Sequence, residues 1–216
     1  EYSHDIIYKA SVMTMGQLEA VLKEEKISVV YIKTELLDNK TIIKALEIAK
    51  TAGKQCYIVL PRIFRQETWD YEEKCITEGK SIYTQEWDGY VIQSFEEYVF
   101  LKNIVCTDPG KIITDTSLYI MNRPARSFWK ELGVTRYTFP FELALEETRQ
   151  VTTGVCMEAV IYAHIPLMVS AQCMVNNVKS CNGFQYNKIY DTKGRGFITA
   201  NYCKYCYNTI YQDIPL

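Results

Sequence analysis

SVVYIKTELLDNKTIIKALEIAKTAGKQCYIVLP, from Ser28 to Pro61, decides the fold. Its first seven residues are a β-branched and aromatic run of strand length. The segment 39–53 that follows is amphipathic, with Asn39 placed to cap its start and Gly53 to end it, and reads as a helix. QCYIVLP, 55–61, is again a strand. Strand, helix and strand in succession make a βα unit, and a repeated βα unit builds a parallel sheet.

The same rhythm extends in both directions. IIYKASV (6–12) reads as a strand before MGQLEAVLKEE (15–25), a helix with Leu18, Val21 and Leu22 on one face. DGYVIQS (88–94) precedes FEEYVFLKN (95–103). KIITDTSLYI (111–120) precedes RPARSFWKELG (123–133), where Pro124 sits near the helix start and Gly133 past its end. VTRYTFPFEL (134–143) and ALEETRQ (144–150) form a sixth pair, and GVCMEAVIYA (154–163) and PLMVSA (166–171) come last. This pattern predicts an α/β chain forming an irregular (β/α) barrel of the TIM type over residues 1–171; such barrels have about 200 residues or more. The closure is irregular because only His164, Ile165 and Pro166 separate the last two runs, whereas a parallel crossover needs about a dozen residues. An open doubly wound sheet ranks second, since no glycine-rich phosphate loop follows the first strand.

Composition excludes some functions. Lys and Arg total 24 against 26 Asp and Glu, so the net charge of -2 sets up no overall field toward nucleic acid. No apolar run approaches the roughly 18 to 20 residues that span a bilayer, and EYSHDIIYKA is unlike a secretion signal, so no membrane is expected and a cytoplasmic address follows by default. The start at Glu1 and the stop at Leu216 read as the bounds of a piece of a longer protein.

From residue 172 onward aliphatics become scarce and Asn, Gly and Tyr abundant. This cysteine-rich segment, 172–216, is expected to pack on the barrel without being an independent domain, with a β-hairpin across Asp191 to Gly196. Four of the eight cysteines lie in or beside it, Cys173, Cys181, Cys203 and Cys206, in the spacing C-x7-C-x21-C-x2-C. Four thiolates can hold a 4Fe-4S cluster or a zinc ion, and metal binding would supply folding energy that so small a core lacks. Only Cys203 and Cys206 have zinc-knuckle spacing, so residue types alone leave iron-sulfur, zinc and metal-free thiols open. Cys56, Cys75, Cys106 and Cys156 read as small buried hydrophobes.

MEAVIYAHIPLMVSAQC (157–173), with Glu158, Ser170 and Cys173, resembles the signature of the U32 peptidase family, the collagenase-like proteases. VTRYTFPFELALEE is similar to the family's preceding strand through Pro140, Glu142 and Leu143, and the tail 190–216 is similar to that of many longer members. The chain departs from the family pattern at Tyr162-Ala163, where His-Gly is common, and at Pro166, where many members carry another cysteine. The resemblance implies a barrel, a 4Fe-4S cluster on Cys173, Cys181, Cys203 and Cys206, and a part in hydroxylation of RNA bases or quinone precursors. It also implies the second barrel of a longer member, working with the remainder of that chain or a homologous partner. A peptidase domain, as the family name states, and a non-catalytic module stapled by zinc are the alternatives.

Protease machinery is not evident in the residues. Neither H-E-x-x-H nor G-x-S-x-G occurs, and of the two histidines, His4 sits at the terminus and His164 reads as a loop residue. In a barrel the working groups lie past the C-terminal ends of the strands. That rule nominates Lys33, Glu35, Arg62, Arg65, Asn122 and Arg123, of which Lys33, Arg62, Asn122 and Arg123 are taken as substrate-binding. Glu142 and Glu158 are the catalytic candidates, because each lies against an apolar run where a carboxylate must find a cation or a hydrogen-bond donor. Glu158 is expected to pair with a basic barrel residue and to support the cysteine turn. The 17 tyrosines interleaved with Lys188, Lys193, Arg195 and Lys204 leave contact with RNA open.

Overall fold

A computed structural model describes residues 6–152, 157–173 and 183–216. Seven parallel strands follow one another in both sequence and space: β1 Tyr8–Val12, β2 Ile27–Lys33, β3 Gln55–Val59, β4 Gly89–Ile92, β5 Ile112–Thr114, β6 Arg136–Thr138 and β7 Met157–Glu158. Six helices connect them: α1 Met15–Leu22, α2 Asn39–Thr51, α3 Gln66–Thr77, α4 Phe95–Asn103, α5 Arg123–Glu131 and α6 Leu145–Thr152. Strand order that never reverses gives a sheet that curls as a half-barrel rather than a doubly wound layer.

Alternation along the strands explains the two cores. Val30, Ile32, Cys56, Ile58, Ile92 and Ile112 face the helices and form the large core with Leu18, Ile42, Leu46 and Phe100. Their neighbours Val29, Tyr57, Val59, Val91 and Ile113, with Tyr31, face the inside of the curl. Gly89 belongs to that inner face, opposite Tyr57 in the β3–β4 register. A Cβ there would lie 2.3 Å from the Tyr57 ring and 2.5 Å from the Lys111 carbonyl. Gly89→Ala is therefore expected to cost about 2 kcal/mol or more through overpacking against backbone, measurable as a lower urea midpoint with unchanged slope.

Most helix starts follow the sequence rules. Thr14 forms a capping box with Gln17, and Asp38, Ser94 and Asn122 each accept a bond from the first turn of their helices. The cap of α2 is thus Asp38, one residue before the Asn39 that the sequence suggests. Helix α3 is not announced by the sequence; its first flanking residue is Arg65, which makes no capping bond. Cys56 and Cys75 are buried as expected, whereas Cys106 is exposed in a left-handed turn at φ 59° because it follows the end of α4. Cys156 lies outside the described residues.

The last expected barrel strand goes elsewhere. β8, Pro166–Ser170, pairs antiparallel with β11, Tyr207–Gln212, in a four-stranded sheet of order β8-β11-β10-β9, where β9 is Gln185–Tyr190 and β10 is Gly196–Tyr202. The physical reason is the link: only the seven residues 159–165 separate β7 from β8, too few for a parallel crossover. Among the described residues the parallel sheet has no eighth strand, and β1 and β7 share no ladder. β9 and β10 form the expected hairpin around 191–195, with Asp191 Oδ1 accepting from the Lys193 and Arg195 amides, each at 2.8 Å. Ala200, Tyr202, Tyr205 and Tyr207 pack this sheet against Met13, Leu36 and Ile63, residues of the loops that leave β1, β2 and β3. The antiparallel sheet therefore covers part of the C-terminal mouth of the half-barrel.

Candidate functional site

Between that mouth and the antiparallel sheet lies a cavity of about 760 Å³, within the range of small-molecule sites. Its floor is a charged network that the alternation of β1, β2, β6 and β7 points inward. Lys9 of β1 forms an ion pair with Glu158 of β7 and donates to the Tyr31 hydroxyl at 3.2 Å. Tyr31 donates to Glu158 Oε2 at 2.6 Å, and Arg136 Nη2 stands 4.0 Å from Glu158 Oε1 while its Nη1 donates to Tyr57 at 2.7 Å. Burial, then the nearby Glu158 charge, pushes the Tyr31 phenol far above its ordinary pKa, so it remains a donor. The first and last strands of the parallel sheet, which share no backbone ladder, are thus joined through side chains across the interior.

Glu158 accordingly has the basic partner expected of it. Those partners, Lys9 and Arg136, belong to the floor, and none lies on the cysteine turn. Glu142 is exposed on the turn after β6 and does not line the cavity, so the apolar surroundings suggested by FPFEL are absent. Arg62 lines the cavity, with Nη1 donating to the Gln93 carbonyl at 2.9 Å. Lys33 lines it too; burial alone would lower its pKa, but the Glu35 charge beside it leaves the net shift upward. Asn122 and Arg123 sit apart, in a shallow outer depression with Glu147 and Val151, where Asn122 caps α5. Ser170 accepts from the Gln172 amide at 3.2 Å, and His164 Nδ1 meets the Gln212 carbonyl at 2.9 Å. His4 lies outside the described residues.

Glu35 is more than a rim charge. It is 4% exposed, its Oε1 accepts from Tyr207 at 3.0 Å, and its Oε2 has no partner among the described residues. Burial raises its pKa above the ordinary carboxylate range, with Lys33 and its hydrogen bonds opposing. Lys33 makes no hydrogen bond or ion pair among the described residues, so a buried acid and a half-buried amine share one wall with unused capacity. Tyr31, Tyr119, Phe141, Tyr162, Tyr207 and Tyr211 add aromatic surface to the same cavity. Its charged lining balances, Lys9, Lys33 and Arg62 against Glu35, Asp115 and Glu158. Lys9, Tyr31 and Arg136 were not singled out by the sequence reading; the available signal was a lysine two residues from a serine inside IIYKASV, a charge on one face of a strand.

The cysteine turn sits on the mouth itself. Cys203, Lys204, Tyr205 and Cys206 form the turn between β10 and β11, with Cys206 left-handed at φ 51°. Lys204 points into the barrel rim, donating to the Thr34 and Leu37 carbonyls at 3.0 and 2.8 Å. Its amine is thus already engaged at the rim, and Arg195 lies at the opposite end of β10, about 20 Å away or more. Lys188 is paired with Asp213 at 2.5 Å. The four basic residues considered for RNA do not form one patch.

The chemistry of the donors suits a thiolate-held group, and the backbone brings Cys173, Cys203 and Cys206 to one end of the antiparallel sheet. Asn208 pairs with Ser170 and donates to the Gln172 carbonyl at 2.6 Å, which sets the chain before Cys173 beside the turn. The side chains themselves are not assembled: among the described residues no three Cys, His, Asp or Glu gather closely enough to hold an ion. Cys181 lies outside the described residues.

A curled parallel α/β sheet with a polar cavity at its C-terminal mouth, capped by a cysteine-bearing antiparallel sheet, defines the class of protein. The model of peptidase family U32 matches residues 26–212, most of the chain, and the protein belongs to that family. Neither the curated proteins nor the solved structures gave a match. Among the described residues no helix is long and apolar enough to cross a membrane.

Proposed function

We propose that this U32-family domain serves a modification enzyme: its half-barrel cavity takes one polar ring of an RNA or small-molecule substrate, and Cys173, Cys181, Cys203 and Cys206 hold a 4Fe-4S cluster at the rim. One observation carries the reading. Tyr207, the residue after Cys206, donates its hydroxyl to Glu35 in the cavity wall, so the thiol-bearing turn and the cavity are one structure. A cluster on this turn would supply one-electron chemistry and would tie the turn to the chain at Cys173.

The chain's own residues define the rest. Aromatic walls and a balanced charge suit an uncharged planar ring better than a polyanion. Glu35 and Lys33 would meet the ring's polar edge, and Arg62 would face it from the β3 side. Glu158, already engaged by Lys9, Tyr31 and Arg136, would fix the floor. The remainder of a longer chain or a homologous partner would complete the enzyme. A peptidase reading has less support, since Ser170 and His164 face backbone rather than each other, and the serines that bond a carboxylate, Ser81 to Glu72 and Ser94 to Glu97, do not line the cavity.

The test is metal analysis of full-length protein prepared without oxygen. The expected result is broad visible absorption with about four iron and four sulfide per chain, lost in Cys203→Ser and Cys206→Ser. Colourless protein holding about one zinc per chain would replace the cluster by a structural ion. No metal under any preparation would overturn the proposal.

A further inference from the structure

We propose that Arg65 is the positioning residue that holds together the two backbone segments bearing Cys173 and Cys206, an inference that rests on the reading of these cysteines as ligands. One guanidinium joins both chain segments that carry them. Its Nη1 donates to the Tyr205 carbonyl at 2.7 Å, and its Nη2 donates to the carbonyls of Cys206 at 2.8 Å and Ala171 at 3.1 Å. Ala171 lies two residues before Cys173, and Tyr205 and Cys206 are half of the Cys203–Cys206 turn. Asn208 adds a single further bond between these segments, to the Gln172 carbonyl.

Position 65 breaks two local rules to do this. It is the residue that caps α3, where Ser, Thr, Asp or Asn would bond the free amides of the first turn, and it makes no such bond. It also sets a cation at the positive end of the helix dipole. The helices begun by Thr14, Asp38, Ser94 and Asn122 obey the first rule. A residue that costs its own helix stability is kept for what it does elsewhere, and three carbonyls from the thiol-bearing segments are what it touches. A planar five-donor fork can reach several carbonyls at once; an ammonium on a flexible stem holds them less rigidly.

Arg65→Ser separates the clamp from the helix, because serine supplies the missing cap while deleting the guanidinium. In metal-free full-length protein, the short dithiol reagent dibromobimane should bridge Cys173 to Cys206, read by mass spectrometry. The expected result for Arg65→Ser is unchanged far-ultraviolet circular dichroism with bridging slowed about tenfold or more, since bonds from a charged donor are lost. Arg65→Lys, which keeps the charge and is the safer variant to fold, should fall between. Bridging at the wild-type rate in either folded variant overturns the proposal, as does a wild-type chain that cannot be bridged. A wild-type chain that bridges readily but takes up no iron or zinc would remove the cofactor reading and leave the role of Arg65 standing.

Discussion

Glu158→Ala is expected to lower the unfolding free energy by about 3 kcal/mol, because it strands a partly buried ammonium and a partly buried phenol at once. The side chains of Lys9 and Glu158 are only 18% and 20% exposed, so solvent screens their attraction far less than it does that of a surface pair. Removing the carboxylate leaves Lys9 without its anion, Tyr31 without its acceptor and Arg136 facing another cation. The consequence reaches beyond one ion pair. β1 and β7 share no backbone ladder among the described residues, and this contact joins the two edges of the curled sheet through side chains. In a chain of this length the loss corresponds to a fall in Tm of roughly 6 to 12 °C. Lys9→Met should cost a similar amount, and the double variant Lys9→Met with Glu158→Leu should cost clearly less than the sum. Single variants within about 0.5 kcal/mol of wild type, or strict additivity, would show that the pair does not hold the edges together.

Glu35→Gln is expected to change how stability responds to pH. Burial, the largest influence on this carboxyl, raises its folded-state pKa, and Lys33 and Tyr207 only partly oppose it. The sign follows directly. Above the ordinary glutamate pKa the unfolded chain gives up this proton while the folded chain still holds it, so wild-type stability from this group is present below that pH and is lost as pH rises through the folded pKa. Glutamine carries no such proton. The stability of the variant relative to wild type should therefore climb with pH by up to about 1.4 kcal/mol per unit across that window and then level off. Urea titrations of both proteins at a series of pH values measure it. A difference that stays flat, or that turns against the variant as pH rises, would mean that Glu35 is ionised and held by Lys33, and that the wall is an ion pair rather than a buried acid beside an amine.

The parts of this fold that the sequence exposes are those set by local periodicity. β2, α2 and β3 are legible because each has enough residues to show its own repeat and an Asp or Gly at its ends. α3 is hidden since its apolar positions, Trp69, Cys75 and Ile76, are widely spaced in QETWDYEEKCIT and its start carries an arginine chosen for another task. The run 154–163 looks like a full strand, yet among its described residues only Met157 and Glu158 pair, because pairing depends on β6, itself three residues long. Glu158 was legible as an acid in apolar surroundings. Glu142 had the same local pattern and is exposed, since the chain turns at 141–144 and a turn leaves no trace in residue hydrophobicity. Lys204 illustrates the converse: a lysine among tyrosines looks like a surface contact for nucleic acid, and only the arrangement of the rim shows that it caps the Thr34 and Leu37 carbonyls.

Crystals grown without oxygen, measured at the iron absorption edge, test the central claim most directly. The account predicts anomalous density among the sulfurs of Cys173, Cys203 and Cys206, beside the Arg65 guanidinium and one residue from the Tyr207 bond to Glu35. Iron found elsewhere, or these sulfurs ordered on separate faces of the antiparallel sheet, would contradict it.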